Sequence, residues 1–172
     1  MPAVFRFVLL LGLATAIRAE EPALTLSSPD RTITLTAVEF AALPHIACAV
    51  LDPHSGKTRQ FSGVAVRDLL ARVDAPLGQK LRGAALQLAV VAYARDGYNV
   101  VYTLADFDEA FSTWTIILAD SENGQPLPDT AAPFQLVAPG DKRPARWIRM
   151  VTKIEIIRVG PPSTRHEPAR NN

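Results

Sequence analysis

Cysteine is nearly absent from this chain, and so is any excess of charge of one sign. The 172 residues include one cysteine, Cys48, and three histidines. A single cysteine cannot form an internal disulfide, and the local spacing of these residues does not assemble the three or four ligands that a zinc site needs. The formal net charge is +1. Composition therefore provides no electrostatic reason to expect binding to nucleic acid or to an anionic membrane surface.

Common catalytic and nucleotide-binding motifs are missing as well. The chain has no Gly-x-Ser-x-Gly sequence and no glycine-rich loop ahead of a predicted helix. Cys48 lies in the apolar run Ile46 to Leu51. This pattern predicts a small hydrophobic residue in a core strand, not a thiol activated at a helix N-terminus. The sequence thus argues against nucleophilic catalysis and against nucleotide binding.

The N-terminus carries an apolar run that is too short to cross a membrane. Phe7 to Ala16 is about half the length of a transmembrane helix, which needs about 20 residues. Arg6 precedes this run, and small residues at Ala16 or Ala19 provide a cleavage site typical of a secretory signal. We therefore interpret residues 1–19 as a signal peptide; an uncleaved amphipathic anchor is the alternative. After cleavage we expect a periplasmic or secreted protein with no stable transmembrane span.

The rest of the chain predicts one domain. With 48% hydrophobic and 20% charged residues, its composition is typical of a compact globular protein. About 150 residues remain after the leader, which is enough to form a core without disulfides or metal. We assign residues 23–159 to this domain. Residues 160–172 are polar and rich in proline, so we expect a disordered tail.

Alternating and continuous apolar patterns predict mostly strands. The predicted strands are Leu24–Leu26, Ile33–Leu35, Ile46–Leu51, Thr58–Phe61, Leu86–Tyr93, Tyr98–Thr103, Ile116–Ala119, Phe134–Val137 and Val151–Val159. Turn residues such as Asp96-Gly97 and Asn123-Gly124 separate several of them. The fold class is therefore α+β, with a mixed, mainly antiparallel sheet and short helices.

Three short helices are predicted between the strands. Thr36 with Glu39, and Thr103 with Asp106, match capping patterns for helices over residues 37–43 and about 104–111. A third helix over residues 64–73 is indicated by one apolar face, formed by Val66, Leu69, Leu70 and Val73.

A cationic loop precedes the last strand and is the best candidate for a binding site. Lys142, Arg143 and Arg146 lie in it, followed by Trp147. The planar guanidinium group matches the oxygens of carboxylate, phosphate and sulfate, so we expect an anion site here. An ordinary solvated loop, partly neutralised by Asp141, is the alternative. Trp147 has two interpretations, stacking on a planar ligand or packing in the core.

Several segments resemble one known family. They are Asn123 to Pro128 (NGQPLP), Pro133 to Gly140 (PFQLVAPG) and Arg146 to Ile148 (RWI), with weaker similarity at Phe61 to Leu70 (FSGVAVRDLL) and Asp96 to Tyr98 (DGY). Together they resemble the oxidoreductase molybdopterin-binding domain of the sulfite oxidase family. The similarity spans most of the predicted domain, so it implies the fold of that family.

The resemblance also implies a cofactor site. Enzymes of the family hold molybdenum through a pterin dithiolene and one cysteine thiolate, with His, Arg and Lys side chains around the pterin and its phosphate. In this chain the position of that cysteine falls on Asp52, four residues after Cys48. The expected His-Gly pair reads Thr130-Ala131, and the expected arginine reads Gln135.

Of the family's cofactor-binding cations, only the one before Trp147 persists, as Arg146, together with the neighbouring Lys142 and Arg143. We therefore expect an exported domain without molybdenum that binds a small anionic ligand or a periplasmic or membrane protein partner. The candidate binding residues are Asp52, His54, Lys142, Arg143, Arg146 and Trp147. The alternative is an active periplasmic molybdopterin-dependent oxidoreductase whose metal ligand is Cys48 or Asp52. The sequence assigns no catalytic residue.

Overall fold

The computed structural model describes residues 23–52 and 56–160. These residues form the strands β1 Leu24–Ser27, β2 Thr32–Leu35, β3 Ile46–Leu51, β4 Thr58–Ala65, β5 Leu88–Ala94, β6 Asn99–Thr103, β7 Ile117–Glu122, β8 Gln125–Pro126, β9 Gln135–Val137 and β10 Val151–Arg158. The helices are α1 Ala37–Ala41 and α2 Val66–Ala71, with 3₁₀ turns at Gly78–Lys80, Gly83–Gln87, Leu104–Phe107 and Pro144–Arg146. The predicted leader, His54 and the tail after Gly160 lie outside the described residues.

The strands form two sheets. The first has the order β2-β1-β10-β5-β6, and the second has the order β3-β4-β7-β8, with β9 also paired to β7. All pairs are antiparallel except β1 with β10. The predicted α+β class with mixed, mainly antiparallel sheet is therefore confirmed. Among the helices of the described ranges, none has the length and apolar character needed to cross a bilayer.

The main core lies between the two sheets. Leu118 and Leu136 of the second sheet belong to the same buried cluster as Val90 and Ile154 of the first. The helical face predicted from Val66, Leu69, Leu70 and Val73 is buried in this cluster. Each fully buried Leu or Val contributes about 1.5–3 kcal/mol relative to exposure, so this layer dominates the stability of the domain.

A second, smaller cluster covers the opposite face of the second sheet. It contains Phe61, Ile117 and Val137 from the strands and Leu127 from the loop after β8, and Trp147 packs against it. The alternation of side chains along a strand sends neighbouring residues to opposite faces. The second sheet is therefore covered on both faces, and the loop before β10 lies over the smaller cluster.

Both predicted capping boxes are present. Glu39 N donates to Thr36 Oγ1 at 3.2 Å, and Thr36 N donates to Glu39 Oε2 at 2.8 Å. Thr103 and Asp106 form the equivalent pair. This second helix, however, is a single 3₁₀ turn that ends at Phe107, four residues earlier than predicted. Asp108 stops it, because its backbone is extended and its carboxylate accepts from the backbone N–H of Gly78 and Ala110.

The helix predicted over residues 64–73 begins two residues later, at Val66. Val64 and Ala65 instead extend β4 and pair with Leu118 and Ile117 of β7. A β-bulge precedes them, at Gly63, where an added Cβ would lie 2.1 Å from the carbonyl oxygen of Leu118. Only glycine allows the two strands to approach this closely.

The prediction that β3 is a core strand is wrong. Among the described residues it pairs only with β4, so it forms an edge of the second sheet. Ile46 and Leu51 are exposed, Cys48 is half-buried, and Val50 is the one buried residue of the strand. An apolar run of this length does not by itself distinguish a central strand from an edge strand, since burial depends on the order of strands in the sheet.

Candidate ligand-binding cleft

A cleft of about 510 Å³ opens beside the smaller cluster. It lies where the second sheet, the turn between β5 and β6, and the loop before β10 meet. The lining residues are Arg59, Asp96, Tyr98, Gln135, Pro144, Ala145, Trp147, Ile148, Arg149 and Met150. Its size falls within the range of about 300–1,000 Å³ that is common for small-molecule sites.

Backbone hydrogen bonds fix one wall of the cleft to β9. Leu136 N donates to Ile148 O at 2.9 Å, and Val151 N donates to Phe134 O at 2.9 Å. Residues 148–151 therefore run alongside the strand that carries Gln135. Since these hydrogen bonds tie both segments together, the backbone of this wall is held in place.

The turn between β5 and β6 also lines the cleft. Tyr98 N donates to Asp96 Oδ1 at 3.0 Å, and Gly97 adopts a φ of +89°, which favours glycine. Arg95 N donates to Met150 O at 2.9 Å and so ties the turn to the loop before β10. The predicted Asp96-Gly97 turn is thus confirmed, and it places Asp96 and Tyr98 at the cleft.

Gln135 contributes the most unusual group of the cleft. The residue is 4% exposed, and its Oε1 atom has no hydrogen-bond partner among the described residues. A buried acceptor left without a partner costs about 1–3 kcal/mol, and such atoms are rare in folded proteins.

Trp147 belongs to both the core and the cleft. Its Nε1 donates to Ala138 O at 2.9 Å, and its ring meets Phe61 edge to face with centroids 6.4 Å apart. The side chain is half-buried, and it lines the cleft. Of the described residues that were predicted to bind a ligand, Trp147 is the one that the structure places at the cleft.

Two arginines line the cleft, and their surroundings differ. Arg59 donates from Nε and Nη2 to the two carboxylate oxygens of Glu122, at 2.6 and 2.8 Å. This bidentate bond lowers the pKa of Glu122 and raises that of Arg59. Arg149 is exposed and forms no ion pair with any residue of the described ranges. Arg149 is therefore the cation available to a ligand.

Arg146 is partly exposed, and carboxylates of the protein hold its guanidinium group. It donates to Asp141 in a bidentate arrangement, with Nε 2.9 Å from Oδ2, and its Nη1 lies 3.7 Å from Asp106. Its guanidinium also stacks 4.5 Å from the ring centroid of Tyr102. Hydrogen bonding to Asp141 raises the pKa of Arg146. Arg146 does not line the cleft.

The other predicted residues also lie elsewhere. Lys142 and Arg143 are exposed and do not line the cleft. Asp52 closes the turn between β3 and β4, where Asp52 N donates to Lys57 O at 2.8 Å, and its charge raises the pKa of Arg59. Cys48 packs against the smaller cluster, and burial raises the pKa of its thiol.

Sequence reasoning did not assign Arg59, Asp96 or Tyr98 to the site, and it included Arg149 only as the end of the cationic loop Gly140 to Arg149. Arg59 and Phe61 are two residues apart on β4 and therefore share a face. This alternation was the one available signal for Arg59, because Phe61 belongs to the smaller cluster. Within residues 23–52 and 56–160, no group of three or more His, Cys, Asp or Glu side chains is arranged to hold a metal ion.

Comparison with known proteins identifies the fold and the family. Residues 29–164 match the family described as oxidoreductase molybdopterin binding domain, so the chain belongs to that family. Among solved structures it is similar to the sulfane dehydrogenase SoxCD from Paracoccus pantotrophus, with a TM-score of 0.59 and 16% identity. That similarity covers 77% of this chain but only 37% of the SoxCD chain, and at this identity it shows the fold alone. A search of the curated proteins found no match.

Proposed function

We propose that this chain is an exported domain that binds a small organic anion in the cleft, without a thiolate-bound molybdenum centre. The observation that carries the proposal is Arg149, a guanidinium with no counter-ion among the described residues, on a cleft that also holds Trp147 and Gln135. An arginine without an internal partner retains its donors for a carboxylate or phosphate oxygen.

The volume of the cleft favours an organic anion over a bare inorganic oxyanion. About 510 Å³ is far more than the share of about 30 Å³ that one water molecule occupies in the liquid. Trp147 and Tyr98 supply apolar surface on which a carbon skeleton can pack. The cleft therefore suits a ligand with an anionic group at Arg149 and an apolar body.

The residues of the cleft do not fit a molybdenum centre held by cysteine. The lining contains no thiol, and Cys48 lies outside it on β3. Burial raises the pKa of Cys48, which disfavours the thiolate that a metal bond requires. Gln135 stands where the family resemblance implies an arginine. We therefore derive no redox step for this domain.

Export is part of the same proposal. The leader-like pattern of residues 1–19 supports it, with Arg6 ahead of the apolar run Phe7 to Ala16. An N-terminal sequence that begins after Ala16 or Ala19 in protein recovered from outside the cytoplasm is the expected result. Recovery of the intact chain from the cytoplasm alone would contradict it.

The decisive experiment measures cofactor content and anion binding in the same exported preparation. We expect molybdenum and pterin far below one equivalent per chain, by elemental analysis and by fluorescence of the oxidised pterin. We also expect titration with succinate to shift the indole N–H resonance of Trp147 in NMR spectra. Stoichiometric molybdenum that is lost in a folded Cys48→Ser variant would instead establish the oxidoreductase alternative.

A further inference from the structure

We infer that the ligand of this cleft is a zwitterion, such as a free amino acid, whose carboxylate meets Arg149 and whose ammonium group meets Asp96. The inference rests on the proposed function and specifies which class of organic anion the cleft selects. A ligand that carries only negative charge is attracted by Arg149 but repelled by Asp96, whereas a zwitterion is attracted by both.

The first argument is the balance of charge on the lining of the cleft. The charged residues of this lining are Arg59, Asp96 and Arg149. Glu122 already neutralises Arg59 through two hydrogen bonds of 2.6 and 2.8 Å. Asp96 and Arg149 are both exposed, and neither forms an ion pair with any of the described residues. The cleft therefore offers one positive and one negative group to a ligand.

The second argument is that the backbone brings these two groups near each other without pairing them. Arg95 N donates to Met150 O at 2.9 Å, and Asp96 and Arg149 are the next residues beyond this bond on the two segments. Met150 adopts a φ of +54°, a left-handed conformation that is uncommon outside glycine. This conformation interrupts the extended backbone ahead of β10, so Asp96 and Arg149 are not part of the ladder between β5 and β10. The two charges are therefore close in the fold and remain separate.

The third argument is that the turn between β5 and β6 does not need the charge of Asp96. Its Oδ1 accepts from Tyr98 N at 3.0 Å, a bond that an asparagine side chain would form equally. This bond places the carboxylate beside Tyr98, which lines the cleft. An ammonium group there would form a charge-assisted hydrogen bond with Asp96, and the aromatic faces of Tyr98 and Trp147 also attract cations. Asp96 is therefore the specificity residue, while Arg149 supplies the attraction for the carboxylate.

Pairs of probes that differ by one ammonium group test the inference on the full chain. L-aspartate is succinate with an added ammonium group, and L-phenylalanine has the same relation to 3-phenylpropionate. We expect NMR titration at neutral pH to show that the amino acid of each pair binds about tenfold more tightly, a difference of about 1.4 kcal/mol. N-acetyl-L-aspartate, which carries no positive charge, should lose this advantage.

Asp96→Asn should change the two members of each pair in opposite directions, because it keeps the acceptor for Tyr98 N and removes the charge. We expect the amino acid to bind about tenfold more weakly and the simple anion about threefold more tightly at low salt. Asp30→Asn is the matched control and should change neither, since Asp30 is exposed and does not line the cleft. An amino acid that binds Asp96→Asn as tightly as the wild-type protein would overturn the inference.

Arg149→Gln separates this inference from the proposed function. It should weaken both members of each pair by the same factor and leave the preference for the amino acid intact. Equal affinity for both members in the wild-type protein, with both weakened by Arg149→Gln, would overturn the inference and leave anion binding standing. This comparison in the wild-type protein decides the question even if Asp96→Asn does not fold. Failure of every probe to bind the wild-type protein would overturn both.

Discussion

Arg146 and Arg149 are three residues apart in the same cationic loop, yet they have different physical roles. Arg146 meets two carboxylates and the face of Tyr102, whereas Arg149 meets no carboxylate of the described residues and borders the cleft. The first arginine joins parts of the protein that are distant in sequence; the second remains able to meet a ligand. A count of cations in a loop therefore does not locate an anion site, because internal pairing decides which of them is available.

The comparison predicts that loss of Arg146 affects stability and not binding. Arg146→Ala removes the bidentate bond to Asp141 and the contact with Tyr102, and leaves Asp141 partly buried without its partner. We expect the free energy of unfolding to fall by about 2 kcal/mol, since hydrogen bonds to charged groups contribute about 1.5–3 kcal/mol and Arg146 is partly exposed. Urea unfolding measures this change, and the exposed Arg143→Ala serves as the control. Unchanged stability of the Arg146→Ala protein would mean that Arg146 does not stabilise the fold, so the proposed difference between Arg146 and Arg149 would not hold.

Loss of Arg149 should weaken anion binding and leave the stability of the protein almost unchanged. Arg149→Gln removes the cation of the cleft that has no counter-ion among the described residues. We expect the dissociation constant for succinate to rise about tenfold, which corresponds to about 1.4 kcal/mol. Stability should change by less than about 0.5 kcal/mol, as is usual for an exposed side chain. Calorimetric titration provides the affinity, and Arg143→Gln is the matched control, since both arginines are exposed and only Arg149 lines the cleft. Equal losses in the two variants would mean that anions bind to the loop non-specifically.

The carboxylate of Asp96 provides a second test of how charge at the cleft affects anion binding. It lines the same cleft as Arg149, so its negative charge opposes anion binding. Asp96→Asn keeps the side-chain acceptor for Tyr98 N and removes the charge. We expect the affinity for succinate to increase about threefold at low salt and the difference to shrink as added salt screens the charge. An unchanged affinity at low salt would place the bound anion farther from the turn than the cleft geometry predicts.

His45 extends the comparison to a titratable cation with an internal partner. Burial lowers its pKa, but hydrogen bonds to the carbonyl of Leu43 and the carboxylate of Asp120 outweigh this effect, so the pKa in the folded state lies above the unfolded value. The contribution of the pair to stability is therefore fully present below about pH 6.5 and is lost as the pH rises through the folded-state pKa. We expect the pair to contribute less than about 1 kcal/mol to the free energy of unfolding.

The difference in Tm between wild type and His45→Gln, measured from about pH 5.5 to about pH 8.5, isolates this contribution. The difference should be largest at the acid end. A difference that grows toward alkaline pH would show that the neutral imidazole is the form preferred by the folded protein.

Local patterns predicted much of the fold because they need no knowledge of distant residues. The capping boxes at Thr36 and Thr103, and the turn at Asp96-Gly97, depend on residues within about four positions. The end of the second helix did not follow from local pattern, because Asp108 is bonded to Gly78, 30 residues earlier. The edge position of β3 was missed for a similar reason, since the order of the strands determines burial.

The candidate site was less predictable than the fold. Its cations were expected at Lys142, Arg143 and Arg146, but the cleft holds Arg59 and Arg149. The pairing of Arg146 with Asp106 depends on how the first sheet is placed against the loop, a long-range contact that spacing along the chain does not reveal. Trp147 was identified because it follows the cations of the loop directly in the sequence. It packs against the core and also lines the cleft, so both interpretations of this residue apply.

The outer edge of β3 has a consequence for handling the purified protein. Its six residues, Ile46–Leu51, carry no charge, and Ile46 and Leu51 expose 40% and 67% of their surface. Proteins usually protect such an edge with lysine, proline or a bulge, because its unpaired backbone groups accept a foreign strand. We therefore expect concentrated solutions to lose monomer slowly through strand-to-strand association. Ala49→Lys, at an exposed position of this strand, should suppress the rise in light scattering without altering the cleft, because Ala49 is not among the lining residues.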